Sequence, residues 1–287
     1  MNKEHTKEQV ALTTKDCIKG AAYIQQLVKN NDYSIKTGIK TIDDYAGFFK
    51  GELILIGGAP ASGKSTLCQQ IALNMAKQGS PVLIASYEVN HEDIGINWIC
   101  NMSKIDTYIW RMKPLTQEDK NLAVKASAEL SKLPIYILDR QPTVFDIENT
   151  VEKLEEKGEK PEIIIVDYLN IMPSLSTNEK DSIEENLSKL ICIAKQKRIP
   201  VIAISALNRE AVKREVKLSK MSDLRGSGAL EYGADKAIFI SSDVGDCGKK
   251  NHSTMFVDIV KSRNTPPIVG HIKLKYHPQY HIVEDFT

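Results

Sequence analysis

Glu52-Leu-Ile-Leu-Ile-Gly-Gly-Ala-Pro-Ala-Ser-Gly-Lys-Ser-Thr66 decides how the rest of this 287-residue chain is read. Leu53 to Ile56 is a continuous apolar run, the pattern of a strand covered on both faces. It feeds Gly58-Ala59-Pro60-Ala61-Ser62-Gly63-Lys64-Ser65, which fits G-x-x-x-x-G-K-[ST] at every fixed position, and Thr66 follows. Leu67 to Lys77 reads as a helix. Strand, glycine-rich turn and helix in that order make a phosphate cradle. Glycines let the backbone close round an anion, and successive N–H groups converge on it in front of a helix N-terminus. Lys64 reaches the β- and γ-phosphates, and the Ser65 hydroxyl suits a Mg²⁺ ion. The chain is therefore read as binding a nucleoside triphosphate.

Working outward, the strands alternate with helices. Pro81–Ser86 is a strand with Tyr87-Glu88 at its carboxyl end; His91–Met102, Thr116–Ser131 and Thr143–Lys157 read as helices, the last with Thr143 as N-cap. Ile135–Leu138 is a short strand, and Glu162-Ile-Ile-Ile-Val-Asp167 reads as a central parallel one. Ser174–Ser182 is expected to be a loop and Ile183–Gln196 a helix, with buried strands at Pro200–Ser205 and Lys236–Ser241. Thr254–Lys261, Val269–Lys275 and Tyr280–Glu284 alternate like antiparallel strands. The fold class is α/β, an open and mostly parallel sheet with a β-rich C-terminal end. Gly58, Glu88, Asp167 and Ser205 all fall at carboxyl ends of strands, where such sheets bind ligands.

Composition narrows the class. Apolar residues make up 42% and charged residues 26%, ordinary for a globular chain with a sizeable core. No apolar run reaches the roughly 18 residues of a membrane span, and Met1–Glu8 lacks a signal-peptide apolar region. Five scattered cysteines without a C-x-x-C pair read as reduced thiols of a cytoplasmic protein, and six scattered histidines give no metal site beyond Mg²⁺. Net charge is only +1, but Lys197–Lys275 carries 15 Lys/Arg against 8 Asp/Glu. That excess permits nucleic-acid binding and is equally the mark of a solvated face. Residues 1–12 are polar and expected to be mobile. Between Thr14 and Lys29, Cys17, Ile18, Ala21, Ala22, Ile24, Leu27 and Val28 recur at helical spacing, and a turn-rich connection runs from Asn30 to Gly38.

Two carboxylates carry the chemistry. Asp167 closes an h-h-h-h-Asp strand, which in a phosphate-loop protein holds Mg²⁺ directly or through water. Read alone it would cap the next turn. Glu88 stands where a carboxylate orients and deprotonates the water that attacks the γ-phosphate; alone, it would be a solvated strand end.

The order Glu52–Thr66, Ser86-Tyr-Glu88, Ile164-Val-Asp167-Tyr-Leu-Asn-Ile-Met172, Pro200–Ser205, Ser222-Asp-Leu-Arg225-Gly-Ser-Gly228 and Lys261-Ser-Arg263-Asn264 resembles the C-terminal motor domain of the bacterial replicative (DnaB-type) hexameric DNA helicases. The resemblance runs from about Thr14 to the end. It implies a RecA-like ATPase domain over 39–287, preceded by a linker helix and connection over 13–38 that packs on an adjacent subunit. It implies that Glu88 is the catalytic glutamate and that Asp167, with Ser65, holds Mg²⁺. Lys261 and Arg263 become a basic pair acting on the γ-phosphate of the neighbouring subunit's site, although by themselves they read as exposed strand charges. Arg225, Gly226 and Gly228 would meet the DNA backbone in the central channel. The implied partners are single-stranded DNA, five further copies in a homo-hexamer, and another replication protein.

The sequence also departs from that pattern. The family's N-terminal domain, which engages primase, has no counterpart in these residues. Ala206 stands where the family usually has a glutamine that senses the γ-phosphate, Gly226 replaces a Glu, Tyr232 a Gln, and Thr265-Pro-Pro replaces a Gly-Pro turn. Three functions stay open on the sequence: an ATP-driven helicase or translocase in DNA replication, a RecA-like switch or helicase loader that hydrolyses ATP without unwinding, and a module that binds nucleotide without turnover.

Overall fold

Alternation of side chains along the strands sets the architecture. The computed structural model describes residues 34–174, 176, 178–207, 221–224, 227–243 and 253–286. The N-terminal residues 1–12, the residues 14–29 expected to form a helix, and residues 208–220 within the basic Lys197–Lys275 stretch lie outside the described residues. The parallel strands are β1 (Leu53–Gly58), β2 (Val82–Ser86), β3 (Ile135–Leu138), β4 (Ile163–Asp167), β5 (Val201–Ala206) and β6 (Lys236–Asp243); β7 (Ser253–Ser262), β8 (Ile268–His277) and β9 (Ile282–Asp285) continue antiparallel. They form one nine-stranded sheet in the order β3-β2-β4-β5-β1-β6-β7-β8-β9.

Period-two geometry sends neighbours to opposite faces. Ile54, Ile56, Ile84, Ile165 and Ile204 face one layer, while Leu53, Leu55, Leu83, Ile164 and Ala203 face the other. On the first face lie α2 (Lys64–Lys77) and α3 (His91–Ser103), through Leu67, Ile71, Ile94 and Trp98. On the second lie α6 (Val144–Glu156) and α7 (Glu179–Lys197), through Ile147, Val151, Leu187 and Leu190. A sheet covered on both sides explains why β1 and β4 are apolar at successive positions. The antiparallel end is one-sided: Met255, Val257, Ile259, Leu274 and Tyr276 all join the α2 layer. The expected α/β class, with a mostly parallel core and β-rich end, is what the chain forms.

Short polar signals set the helix starts. Asn90 accepts the Asp93 N–H at 2.8 Å to open α3. Thr116 and Thr143 form reciprocal capping boxes with Asp119 and Asp146, opening α5 (Gln117–Leu130) and α6. Each such cap is worth about 1 kcal/mol. One expectation is corrected. The loop expected over Ser174–Ser182 ends early: α7 begins at Glu179, because the Asn178 side chain accepts the Lys180 N–H at 3.1 Å and nucleates the helix four residues before its first apolar position, Ile183. The chain also forms two six-residue helices, α1 (Lys40–Tyr45) and α4 (Thr107–Met112), too short to show a helical apolar period. The last helix, α8 (Ser227–Gly233), precedes β6.

Buried amides hold α2 firmly. The Trp98 indole donates to Gln69 O at 3.0 Å, and the Asn101 amide bridges Gln70 Oε1 at 2.8 Å and His281 O at 2.7 Å. The helix behind the glycine-rich turn is thus tied both to α3 and to the antiparallel end of the sheet.

Candidate nucleotide site

The turn leaving β1 is shaped by what its glycines avoid. A Cβ on Gly58 would lie 2.5 Å from Ile240 O and 2.7 Å from Ser62 Oγ. Gly63 has φ +92°, in the left-handed region, and a Cβ there would meet Met255 and the Tyr276 ring. Ala61 is itself left-handed, at φ 60°. α2 then starts at Lys64 with no side-chain cap at Gly63. Its first N–H groups are left for an anion, with the helix dipole behind them.

Lys64 Nζ donates to Gly58 O at 3.0 Å and Ala59 O at 2.8 Å, so the ammonium rests on the loop's carbonyls. Burial lowers its pKa, and the carboxylates of Asp167 and Glu88 oppose that fall. Asp167 stands opposite Ser86 in the β2–β4 register and is 7% exposed. Burial pushes its carboxyl up to about 6, with Glu88 adding to the rise, while the Ser65 side chain and Lys64 pull it down. Asp167 Oδ1 is buried without a hydrogen-bond partner. A desolvated carboxylate oxygen lacking a donor, beside a serine hydroxyl, matches the oxygen chemistry of Mg²⁺. Among the described residues no group of three or more His, Cys, Asp or Glu could hold a metal. An ion here would therefore complete its shell with water and substrate phosphate.

Glu88 projects from a pinned turn. Tyr87 N donates to Asp167 O at 2.8 Å, the Tyr87 hydroxyl to Pro142 O at 2.8 Å, and Ser86 Oγ to Val89 O at 2.5 Å. These bonds hold the flanking residues, and Glu88 itself is exposed. The cleft, about 420 Å³, is lined by the loop and by Glu88, Asp167, Tyr168, Ala206 and Tyr276. Gly58, Ala59, Pro60, Ala61, Ser62, Gly63, Lys64, Ser65, Thr66, Glu88 and Asp167 therefore converge at one end of the sheet. Ala206 presents only a methyl group at that wall, and its N–H donates to Asn170 Oδ1 at 3.0 Å. Tyr276 reaches the cleft from β8, far along the chain, and no local pattern marks it in the sequence.

Lys261 and Arg263 are elsewhere. Lys261 stands opposite Ala237, and Arg263 N donates to Asp235 O at 2.9 Å, at the end of the sheet where β1 begins. Gly228 lies in α8, where an added Cβ would meet nothing within 4 Å. No contact inside the described chain requires glycine there. Arg225 and Gly226 lie outside the described residues. Among the described residues no helix is long and apolar enough to cross a membrane.

The sequence profile of the family described as DnaB-like helicase C terminal domain matches residues 34–285. The chain is 32% identical over 260 residues to Replicative DNA helicase DnaC of Bacillus subtilis (strain 168), an alignment covering 88% of this chain and 56% of that protein. It is 30% identical over 253 residues to Replicative DNA helicase DnaB of Geobacillus stearothermophilus, covering 86% and 55%. The chain thus spans about half the length of these curated relatives. In fold it is similar to a solved ATPase domain, with TM-score 0.83 and 24% identity over 94% of this chain and 98% of that one. It is also similar to a DnaB-like replicative helicase whose structure was described with its interactions with primase, with TM-score 0.80 and 22% identity over 98% and 68%. The RecA-like architecture expected from the sequence is therefore present.

Proposed function

This chain belongs to the DnaB-like helicase C-terminal domain family, and on that premise we propose that it is the ATP-hydrolysing motor of a DnaB-type helicase or translocase, working as a homo-hexameric ring on single-stranded DNA during replication. One observation carries the reading. The loop, Glu88 and Asp167 share a cleft at one end of the sheet, while Lys261 and Arg263 sit at the other. A cation pair so placed suits the site of a neighbouring copy better than its own.

In that assembly the α2 N-terminus and Lys64 bind the β- and γ-phosphates. Ser65 and Asp167 are the residues that would hold Mg²⁺, which when bound neutralises charge on those phosphates. Glu88 orients the attacking water and takes its proton as the bond to ADP breaks, releasing phosphate. Arg263 from the next subunit stabilises the charge on the transferring phosphoryl group, a contribution of about 10³-fold or more. Lys261 supports it. Arg225, Gly226 and Gly228 would contact DNA phosphates in the channel, so binding weakens as salt rises. Residues 14–29, read from the sequence as a linker helix, would dock on an adjacent copy, and another replication protein is a further partner.

The test is steady-state ATP hydrolysis with and without single-stranded DNA, with mass followed in solution and Arg263→Ala as control. DNA stimulation that Arg263→Ala abolishes while assembly persists supports the motor. A DNA-indifferent monomer whose rate is unchanged by that substitution overturns it.

Ala206 favours a second reading. A methyl group at the cleft wall cannot sense the γ-phosphate by hydrogen bonding. The same ATPase would then serve as a switch or helicase loader with no unwinding of its own. Strand displacement by this protein with only ATP and Mg²⁺ removes that reading.

A further inference from the structure

Arg263 is held by more than one bond. Asp235, in the turn between α8 and β6, accepts the Arg263 guanidinium NH1 on Oδ1 at 2.9 Å, and its carbonyl accepts the Arg263 N–H at 2.9 Å. The same residue grips the start of β1. Asp235 Oδ2 accepts the Leu53 N–H at 2.9 Å, and Asp235 N donates to Leu53 O at 2.9 Å. The second guanidinium nitrogen donates to Tyr232 O, and Lys261 Nζ donates to Glu231 O, so the C-terminal turn of α8 takes both cations. Next to Asp235, Glu52 repeats the arrangement: its Oε1 accepts Asn264 Nδ2 at 2.6 Å and its Oε2 faces Lys236 Nζ at 3.4 Å. Arg263 is joined to Leu53 through Asp235, and Asn264 bonds Glu52 directly beside it.

We propose that Asp235 is the positioning residue for Arg263: it presents the guanidinium to the neighbouring subunit and fixes it to the base of the strand that carries this subunit's own phosphate loop. The inference rests on the trans-acting reading given above. The Asp235 side chain is 13% exposed and that of Arg263 is 48% exposed. The carboxylate is therefore anchored in the fold, while the guanidinium, a planar fork of five N–H donors, keeps part of that fork accessible to a phosphate. A cation already locked by a supporting shell gives up little freedom when it engages charge, and a displacement of about 1 Å costs about 10²-fold in rate. The link to Leu53 has a second consequence. Force on Arg263 from the neighbour's phosphate passes through Asp235 into β1, whose far end is Gly58.

Subunit mixing tests this, using full chains, Mg·ATP and a single-stranded oligonucleotide. Lys64→Ala subunits lack a working loop but present an intact Asp235 and Arg263 to a neighbour. Asp235→Asn keeps the volume and can still accept from Leu53 N, but turns an amide toward the guanidinium. Alone, it is expected to lose about 10²-fold in kcat, while affinity for a fluorescent ATP analogue changes less than about twofold. Added Lys64→Ala subunits restore turnover to Asp235→Asn, as they do to Arg263→Ala. Asp235→Glu, which keeps the charge but shifts it, shows a smaller loss with the same rescue and carries the test if Asp235→Asn does not assemble. Rescue of Arg263→Ala without rescue of either Asp235 variant overturns the proposal, because Asp235 would then act on its own loop through Leu53. Unchanged kcat in the Asp235 variants overturns it as well. Failure of Lys64→Ala to rescue Arg263→Ala removes the trans-acting reading itself, and the positioning role with it.

Discussion

Lys64 and Arg263 lie at opposite ends of one sheet. Lys64 follows the carboxyl end of β1, whereas Arg263 is bonded through Asp235 to Leu53, the first residue of that strand. Five residue steps separate Leu53 from Gly58, about 16 Å at the rise of a parallel strand. A guanidinium tethered at one end cannot reach a γ-phosphate held at the other within the same copy. Catalysis that uses both residues then needs contact between copies. Specific ATPase activity is expected to fall about tenfold or more on dilution through the assembly concentration, while nucleotide affinity per site changes little. Parallel mass and turnover measurements across a dilution series check this, and a concentration-independent rate contradicts it.

Asp167 gives stability a pH dependence in the metal- and nucleotide-free protein. Its folded-state pKa, about 6, lies above the ordinary value of 3.8 because burial disfavours the anion. For an acid raised in this way, the folded state is favoured at low pH and loses that advantage as pH rises to about 6. Removing the charge with Asp167→Asn is expected to stabilise the free protein by up to about 3 kcal/mol at pH 7, and by little near pH 4. Thermal or urea unfolding of both proteins across that range, with chelator present, measures the difference. Turnover of the variant is lost at every pH.

The buried pair Lys236–Glu52 predicts strong non-additivity. Lys236 is fully buried and donates to Ala46 O at 2.7 Å and to Gly47 O, with Glu52 facing it at 3.4 Å. Lys236→Met removes one charge and strands the other, at a cost of about 3 kcal/mol or more. The double variant Lys236→Met with Glu52→Gln is expected to be less damaged than the sum of its parts, by about 1 kcal/mol or more. Urea denaturation of the four proteins completes the cycle.

Two glycines should behave in opposite ways. Gly58→Ala pushes a methyl group against Ile240 O and Ser62 Oγ, costing about 1–3 kcal/mol and displacing the cradle, so ATP affinity falls as well. Gly228→Ala adds a methyl group to open space inside a helix, where alanine is favoured by up to about 1 kcal/mol. If Gly228 approaches a DNA phosphate closely, the variant folds at least as stably but binds single-stranded DNA more weakly. Unfolding curves and fluorescence anisotropy with a labelled oligonucleotide separate these outcomes.

Most of the nucleotide end was legible in the sequence, because its signals are local. The glycine-rich turn, the apolar run before it and the carboxylates closing β2 and β4 are each set within a few residues by backbone conformation, burial period and chemical type. That is why Lys64, Ser65, Glu88 and Asp167 could be named from their neighbours. The start of α7 escaped because a single capping bond from Asn178 outranked the apolar period, and α4 because six residues do not make a period.

Other features arise only once the sheet is assembled. Tyr276 enters the cleft, Asp235 joins Arg263 to Leu53, and Lys236 finds Glu52 because strand order places β6 beside β1 and adds β7 and β8 at that edge. Sheet neighbours are chosen by long-range pairing, in which apolar strands of similar length compete on nearly equal local terms. The order of residues alone was enough to say which chemical groups gather at the loop end of the sheet, since a glycine-rich cradle is built from consecutive backbone amides. Packing and register settled which distant side chains support those groups, and at which end of the sheet Lys261 and Arg263 stand.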